Sequence, residues 1–234
     1  MKRSIIYRSI ALFLTLVLLM SSETTAEAKY YHDNIDNIFV HKNTDEKVIA
    51  LTFDDGPHPK KTQQILDVLA KYNVKATFFV IGENAEKYPD ILKKTYAAGH
   101  EIGNHTYDHK SIYKLSGDSV IGEVDKCTSV IESIINFSPS LFRPPEGFMD
   151  DTIARIVGDH GYKVILWKVD TYDWKGREAT DIYSNVTEHI NCGDIILMHD
   201  YIWRVSYTPQ ALDMIIPRLL EQGYSFCTVS ELIK

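Results

Sequence analysis

Cysteine is scarce in this chain. Cys127, Cys192 and Cys227 are odd in number and far apart, which excludes a disulfide framework. With no Cys-x-x-Cys pair they offer no thiolate metal site either, and buried free thiols are the expectation, with one bridge plus a spare thiol as the alternative. Basic blocks are also missing. The 25 Lys and Arg against 32 Asp and Glu leave a net charge of −7, which argues against a nucleic-acid partner. There is no internal repeat and no low-complexity linker, so nothing marks a second domain. The 234 residues, 44% of them hydrophobic, suffice for one well-buried domain and are short for two large ones.

A long hydrophobic run occurs only near the start. Lys2, Arg3 and Arg8 precede an apolar stretch from Ile10 to Met20, and Ala26-Glu27-Ala28 supplies a small-x-small cleavage site. The run is shorter than the roughly 20 residues that cross a bilayer. Residues 1–28 therefore read as a secretory signal peptide, with an uncleaved N-terminal anchor as the alternative. The expected product is exported, either secreted or held at the cell envelope, with a mature chain beginning near Lys29 and a lead-in segment over 29–47 of little structure.

From Val48 to the end, apolar strand-like runs alternate with helical stretches. Val48–Phe53, Ala76–Ile81, Glu101–Gly103, Ser140–Phe142, Val164–Trp167, Asp194–Met198 and Ser225–Val229 read as strands. Thr62–Tyr72, Pro89–Ala98, Ser119–Ile135, Asp151–His160, Ala179–Ile190 and Pro209–Glu221 read as helices, with Gly99, Gly161 and Gly223 as stops. Nearly continuous apolar strands alternating with helices predict a parallel α/β sheet. About seven such units suit a closed or nearly closed barrel, with functional groups gathered at the C-terminal rim of the strands.

Polar clusters follow those strands in order. Asp54-Asp55-Gly56-Pro57 comes straight after an apolar strand, and adjacent carboxylates there point in different directions. One can hold a cation while the other takes a proton; the bland alternative is a plain Asp-Asp-Gly turn. His105 and His109 are four apart, and a helical turn after Gly103 would set both imidazoles on one face to grip one cation. A His, His, Asp set with open positions is a hydrolytic-metal arrangement. Zinc fits best, and cobalt, manganese or nickel remain open. Arg143-Pro144-Pro145 is a stiff segment suited to holding a guanidinium beside a carboxylate. A backbone N–H just after it, at Glu146 or Gly147, is placed to meet a developing oxyanion. His199, with Asp173 available to orient it, is a candidate proton donor, and Trp174 a candidate pocket wall. Tyr172, Tyr201 and Trp203 are further rim rings, suited to sugar stacking or to simple packing.

These residues together resemble the polysaccharide deacetylase family, carbohydrate esterase family four, whose domain is also called the NodB-homology domain. The resemblance rests on Thr-Phe-Asp-Asp-Gly at 52–56, His-Thr-x-x-His at 105–109, Arg-Pro-Pro-x-Gly at 143–147, Asp-x-x-Asp-Trp at 170–174 and Leu-Met-His-Asp at 197–200. It spans about Val48 to Leu232 and implies a catalytic domain over 48–234 with a distorted, TIM-like (β/α) barrel. It further implies Asp54 as general base, with Asp55, His105 and His109 as metal ligands. His199 would be the general acid tuned by Asp173, and Arg143 would orient Asp54. Trp174 and Leu197 would line the acetyl pocket, and Pro145 and Glu146 the substrate side of the Arg-Pro-Pro loop.

Glu146 departs from that family, which usually carries an aromatic residue, most often tyrosine, at this place. The family's oxyanion contact is a backbone N–H, so the chemistry tolerates the change, while the side chain faces the groove and bears on substrate choice. The implied activity is hydrolysis of N-acetyl groups on amino-sugar polymers, peptidoglycan or chitin-like, releasing acetate. The alternatives are an O-acetyl xylan or glycan esterase using the same residues, and an inactive wall-binding relative. No protein partner is expected.

Overall fold

A computed structural model describes residues 36–113 and 115–234. The expected signal peptide at 1–28 and the first residues of the lead-in lie outside the described residues. The strands are β1 (Ile38–Phe39), β2 (Val48–Asp54), β3 (Thr77–Val80), β4 (Glu101–Asn104), β5 (Leu141–Phe142), β6 (Lys163–Ile165), β7 (Val169–Asp170), β8 (Ile195–His199) and β9 (Ser225–Phe226). The helices are α1 (Lys61–Lys71), α2 (Gly82–Lys87), α3 (Pro89–Ala97), α4 (Gly117–Ile135), α5 (Asp151–Asp159), α6 (Ala179–His189), α7 (Thr208–Glu221) and α8 (Val229–Leu232).

The sheet order is β1-β6-β5-β4-β3-β2-β8-β7, with β9 alongside the start of β2, and every pairing is parallel. The result is the expected distorted (β/α) barrel, curled but with a seam: β1 and β7 are the two ends of the sheet order. Residues from Ile49 to Asp54 are buried on both faces of β2, as a parallel strand under helices demands. The helices bury one stripe each, as α1 does with Ile65, Leu66 and Leu69. Because the strands all run one way, their C-terminal ends share one rim, and Asp54, Asn104 and His199 terminate β2, β4 and β8 there.

Four local expectations change. The His105–His109 segment is not helical; Thr106 and His109 take positive φ, 66° and 59°, in an irregular loop. The loop is shaped by Thr106 N–H donating to Asn104 Oδ1 and His109 N–H donating to Thr106 Oγ1. Part of the lead-in is structured: β1 pairs with β6, and His41 bridges Asp194. This covers a sheet edge that would otherwise expose unpaired backbone. Val169–Asp170, not read as a strand, pairs with β8. The last strand stops at Phe226, because Thr228 and Glu231 form a reciprocal capping box that starts α8. All three cysteines are free thiols; Cys127 is buried and the others are partly exposed.

Candidate metal centre and active site

Asp55 follows the end of β2 with φ 78°, a left-handed turn that swings its carboxylate away from the direction of Asp54. Its Oδ1 stands 3.5 Å from His105 Nε2 and 3.3 Å from His109 Nε2. Three donors bound at about 2.1 Å to one tetrahedral cation stand roughly 3.4 Å apart, so this spacing fits a zinc-like ion. Two further observations support that fit. Asp55 Oδ1 is buried without a hydrogen-bond partner, a costly arrangement unless a cation or a charged group offsets it. His105 Nδ1 lies 2.7 Å from the Arg143 carbonyl, which can only accept, so Nδ1 carries the proton and the Nε2 lone pair faces the cluster. The two imidazoles meet at a ring-centroid distance of 4.9 Å without a helix beneath them. The convergence that the four-residue spacing implied is real, and its cause is the Thr106 and His109 turns.

Charge follows this geometry. Burial opposes ionisation of Asp55, but the nearby His105, with the His199 and His109 charges, outweighs it and holds the carboxyl below its usual range. Burial likewise opposes charge on His105, yet Asp54 and Asp55 raise its pKa. His109 goes the other way, lowered by burial and by His105.

Asp54 sits beside the cluster, its Oδ2 3.8 Å from His105 Nε2. Its other oxygen accepts from Arg143 Nη1 at 2.7 Å. Arg143 is fully buried, and its remaining donors reach Thr52 Oγ1 at 2.8 Å and the carbonyls of Ile165 and Leu166 at 3.1 Å. A buried cation survives only when so completely engaged. The guanidinium also lies 4.1 Å from the Phe79 ring centroid and 5.5 Å from that of Trp167.

The β2–β8 register sets His199 directly opposite Asp54. Asp173 holds the imidazole from behind: Oδ1 is 2.7 Å from His199 Nδ1, and Oδ2 accepts from His199 N–H at 2.8 Å and from Thr208 Oγ1 at 2.8 Å. Burial lowers the His199 pKa, but the Asp173 charge and hydrogen bond, with Asp55 and Asp54 behind them, overcome this and lift it to about 10.

A match to the sequence model described as polysaccharide deacetylase covers residues 41–165, more than half of the chain. The chain belongs to the polysaccharide deacetylase family. A curated relative, the peptidoglycan-N-acetylglucosamine deacetylase of Bacillus cereus, is 39% identical over 191 residues, covering 81% of this chain and 89% of that one. A crystal structure of a peptidoglycan N-acetylglucosamine deacetylase in complex with an N-oxidanyl-benzamide superposes with a TM-score of 0.81 at 36% identity, over 84% of this chain and 92% of that one. A family-four acetyl xylan esterase from Clostridium thermocellum, in complex with a cobalt ion, gives a TM-score of 0.75 at 36% identity, over 80% and 90% of the two chains.

Glu146 and its neighbours lie on the Arg-Pro-Pro loop. Pro145 is buried, whereas Glu146 is exposed with φ 60° and ψ 3°. Its charge is close enough to favour protonation of His109. Gly147 also has positive φ, and a Cβ there would lie 2.7 Å from the Trp167 ring. Leu197 is buried in β8, and Trp174 is 44% exposed on the short 3-10 turn Asp173–Lys175.

One residue of the deacetylase rim had no role assigned from sequence. Asp200 is fully buried, donates its N–H to the Asp54 carbonyl at 3.1 Å and accepts from Thr62 Oγ1 at 2.6 Å. Burial, reinforced by the Asp55 and Asp54 charges, pushes its carboxyl up to about 7. It packs against Gly56, where any side chain would collide with it, and so ties the turn after Asp55 to β8 and α1. Asn84 grips the same turn by donating to the Asp55 carbonyl at 2.7 Å. Nothing in the sequence spacing pairs positions 56, 62, 84 and 200.

Proposed function

We propose that this deacetylase hydrolyses N-acetyl groups of amino-sugar polymers, releasing acetate and leaving a free amine. The observation carrying the reading is the placement of Asp54 between the Asp55–His105–His109 cluster and the Asp173-backed His199. Asp55, His105 and His109 would hold a divalent cation, most readily Zn2+, with Co2+, Mn2+ or Ni2+ as alternatives. When bound, such a cation polarises the amide carbonyl and lowers the pKa of water.

The chain's own residues complete the chemistry. Asp54 Oδ2, on the side facing His105, takes the proton from the attacking water, while Arg143 fixes the other oxygen and so the orientation of the carboxylate. His199, protonated at neutral pH and held at Nδ1 by Asp173, presents Nε2 to the departing nitrogen. Protonation there is required because an amide nitrogen does not leave as an anion. Of the two candidate N–H groups on the Arg-Pro-Pro loop, that of Gly147 donates to the Pro144 carbonyl at 3.0 Å, so the Glu146 N–H would be the one to meet the developing oxyanion. Trp174, Leu197 and Pro145 supply the apolar wall for the acetyl methyl.

Glu146 bears on the choice among peptidoglycan, muramic-acid and chitin-like substrates. An O-acetyl esterase reading draws support from the cobalt-bound xylan esterase relative, and an inactive role is disfavoured by the presence of the whole residue set. The polymer lies outside the cell membrane, in keeping with export through residues 1–28. The decisive experiment measures acetate release from N-acetylglucosamine oligomers, peptidoglycan and acetylxylan, using chelated and zinc-restored protein beside Asp54→Asn. Zinc-dependent release from an N-acetylated glycan, lost in Asp54→Asn with metal still bound, is the expected result. Release from acetylxylan alone overturns the N-deacetylase reading.

A further inference from the structure

Beside the candidate active site three cations lie against aromatic rings, in a chain of net charge −7. Lys175 Nζ lies 4.3 Å from the Tyr172 ring centroid and 4.8 Å from that of Trp174, and the Arg177 guanidinium lies 5.0 Å from Tyr172. On the neighbouring loop, after β8, Arg204 lies 4.5 Å from the Trp203 ring, and Trp203 is 82% exposed. The two loops come close: a Cβ added at Gly176 would stand 3.9 Å from Arg204 Cδ. Lys61 pins the second loop by donating to the carbonyls of Ile202 and Arg204. Lys175, Arg177 and Arg204 are exposed, and none has an acidic partner among the described residues.

Each of these rings carries a cation over one face, and Trp203, 82% exposed, has further surface for the C–H face of a sugar, while the cations can meet a carboxylate borne by it. Trp174 sits on the same short turn as Asp173, whose carboxylate holds His199 at 2.7 Å, so a sugar bound here would be next to the one whose amide is cleaved. A neutral chitin-like strand would leave these cations unused. We propose that Lys175, Arg177 and Arg204, with Tyr172, Trp174 and Trp203, form a subsite for a carboxylate carried by the sugar adjoining the deacetylated one. The inference rests on the N-deacetylase reading and directs it to peptidoglycan, whose alternate sugars carry a lactyl acid or a stem peptide built on it.

The test compares wild-type protein with Lys175→Gln/Arg177→Gln/Arg204→Gln on chitotetraose, on peptidoglycan strands stripped of their stems, and on strands that retain them. On a carboxylate-bearing strand kcat/KM should fall about tenfold, chiefly through KM, with chitotetraose changed less than twofold. The wild-type preference should also shrink with added NaCl. A response confined to stripped strands identifies the lactyl carboxylate, and one confined to stem-bearing strands the peptide carboxylates; either supports the subsite. A parallel loss on chitotetraose, or no loss on any strand, overturns it. Quenching of Trp203 fluorescence, assigned with Trp203→Phe, reports binding without turnover. If no glycan yields acetate, the deacetylase reading fails. The subsite still stands or falls on whether stripped strands bind the Asp54→Asn protein more tightly than chitotetraose does, and lose that advantage in the triple substitution.

Discussion

Replacing Asp173 by asparagine removes the charge that holds His199 protonated while keeping nearly the same shape. In the wild type, burial favours the neutral imidazole, yet the pKa stands at about 10 rather than 6.5, and Asp173 makes the largest opposing contribution. Asparagine can still accept from Thr208 Oγ1 or the His199 N–H through its carbonyl oxygen, so the fold should persist. Only the Asp55 and Asp54 charges would then oppose burial, and the His199 pKa should fall well below about 10. Each unit is worth about 1.4 kcal/mol, so the pair represents several kcal/mol of linkage. The sign follows from the direction. A folded pKa raised above the unfolded value stabilises fully below about 6.5, and that stabilisation is lost as pH rises through about 10. Between those limits the wild-type Tm should decline with pH, and that decline should largely vanish in Asp173→Asn. The direct assay is an NMR titration of the His199 Cε1–H in chelated protein, where Asp54 and Asp55 keep their full charge. The kcat of zinc-loaded Asp173→Asn should drop by roughly 10²–10⁴, the contribution of a positioned general acid. A wild-type His199 titrating near 6.5, or a variant still titrating near 10, would refute the argument.

His105→Ala should lose both tight metal binding and activity, since it removes one of three ligands; zinc competition with a chromogenic chelator reads the first directly. Arg143→Met should leave Asp54 buried without its cation and lower stability by about 3–5 kcal/mol, measured by urea denaturation. Wild-type stability in Arg143→Met would show that Asp54 does not depend on that pair. Gly56→Ala should lower both Tm and zinc affinity, because the added methyl collides with the Asp200 carboxylate and displaces the turn carrying Asp55. An unchanged zinc affinity would sever Asp200 from the metal site.

Legibility tracked the range of the interaction involved. Apolar runs such as Val48–Phe53 and Asp194–Met198 announced their strands because burial on both faces leaves no room for polar alternation. Two-residue β7 and the first residues of α2 carried no such pattern, because their conformations are set by neighbours rather than by their own side chains. The helix expected under His105 and His109 failed for a related reason. Spacing reports which residues can meet, but Asn104 and Thr106 side chains capture the backbone groups that a helix would have used.

The sequence by itself determined the fold class, the family and the candidate reacting groups, because periodic burial and the residue types suited to hydrolysis are written locally along the chain. Only the tertiary structure decided how those groups work together. The β2–β8 register put His199 across from Asp54, and Asp200 locked the turn of Asp55 from a strand far away in sequence. The close approach of the Gly176 and Arg204 loops brought separate cations near one another. These are through-space interactions between distant segments, and they exist only once the barrel has brought the strand ends to a common rim.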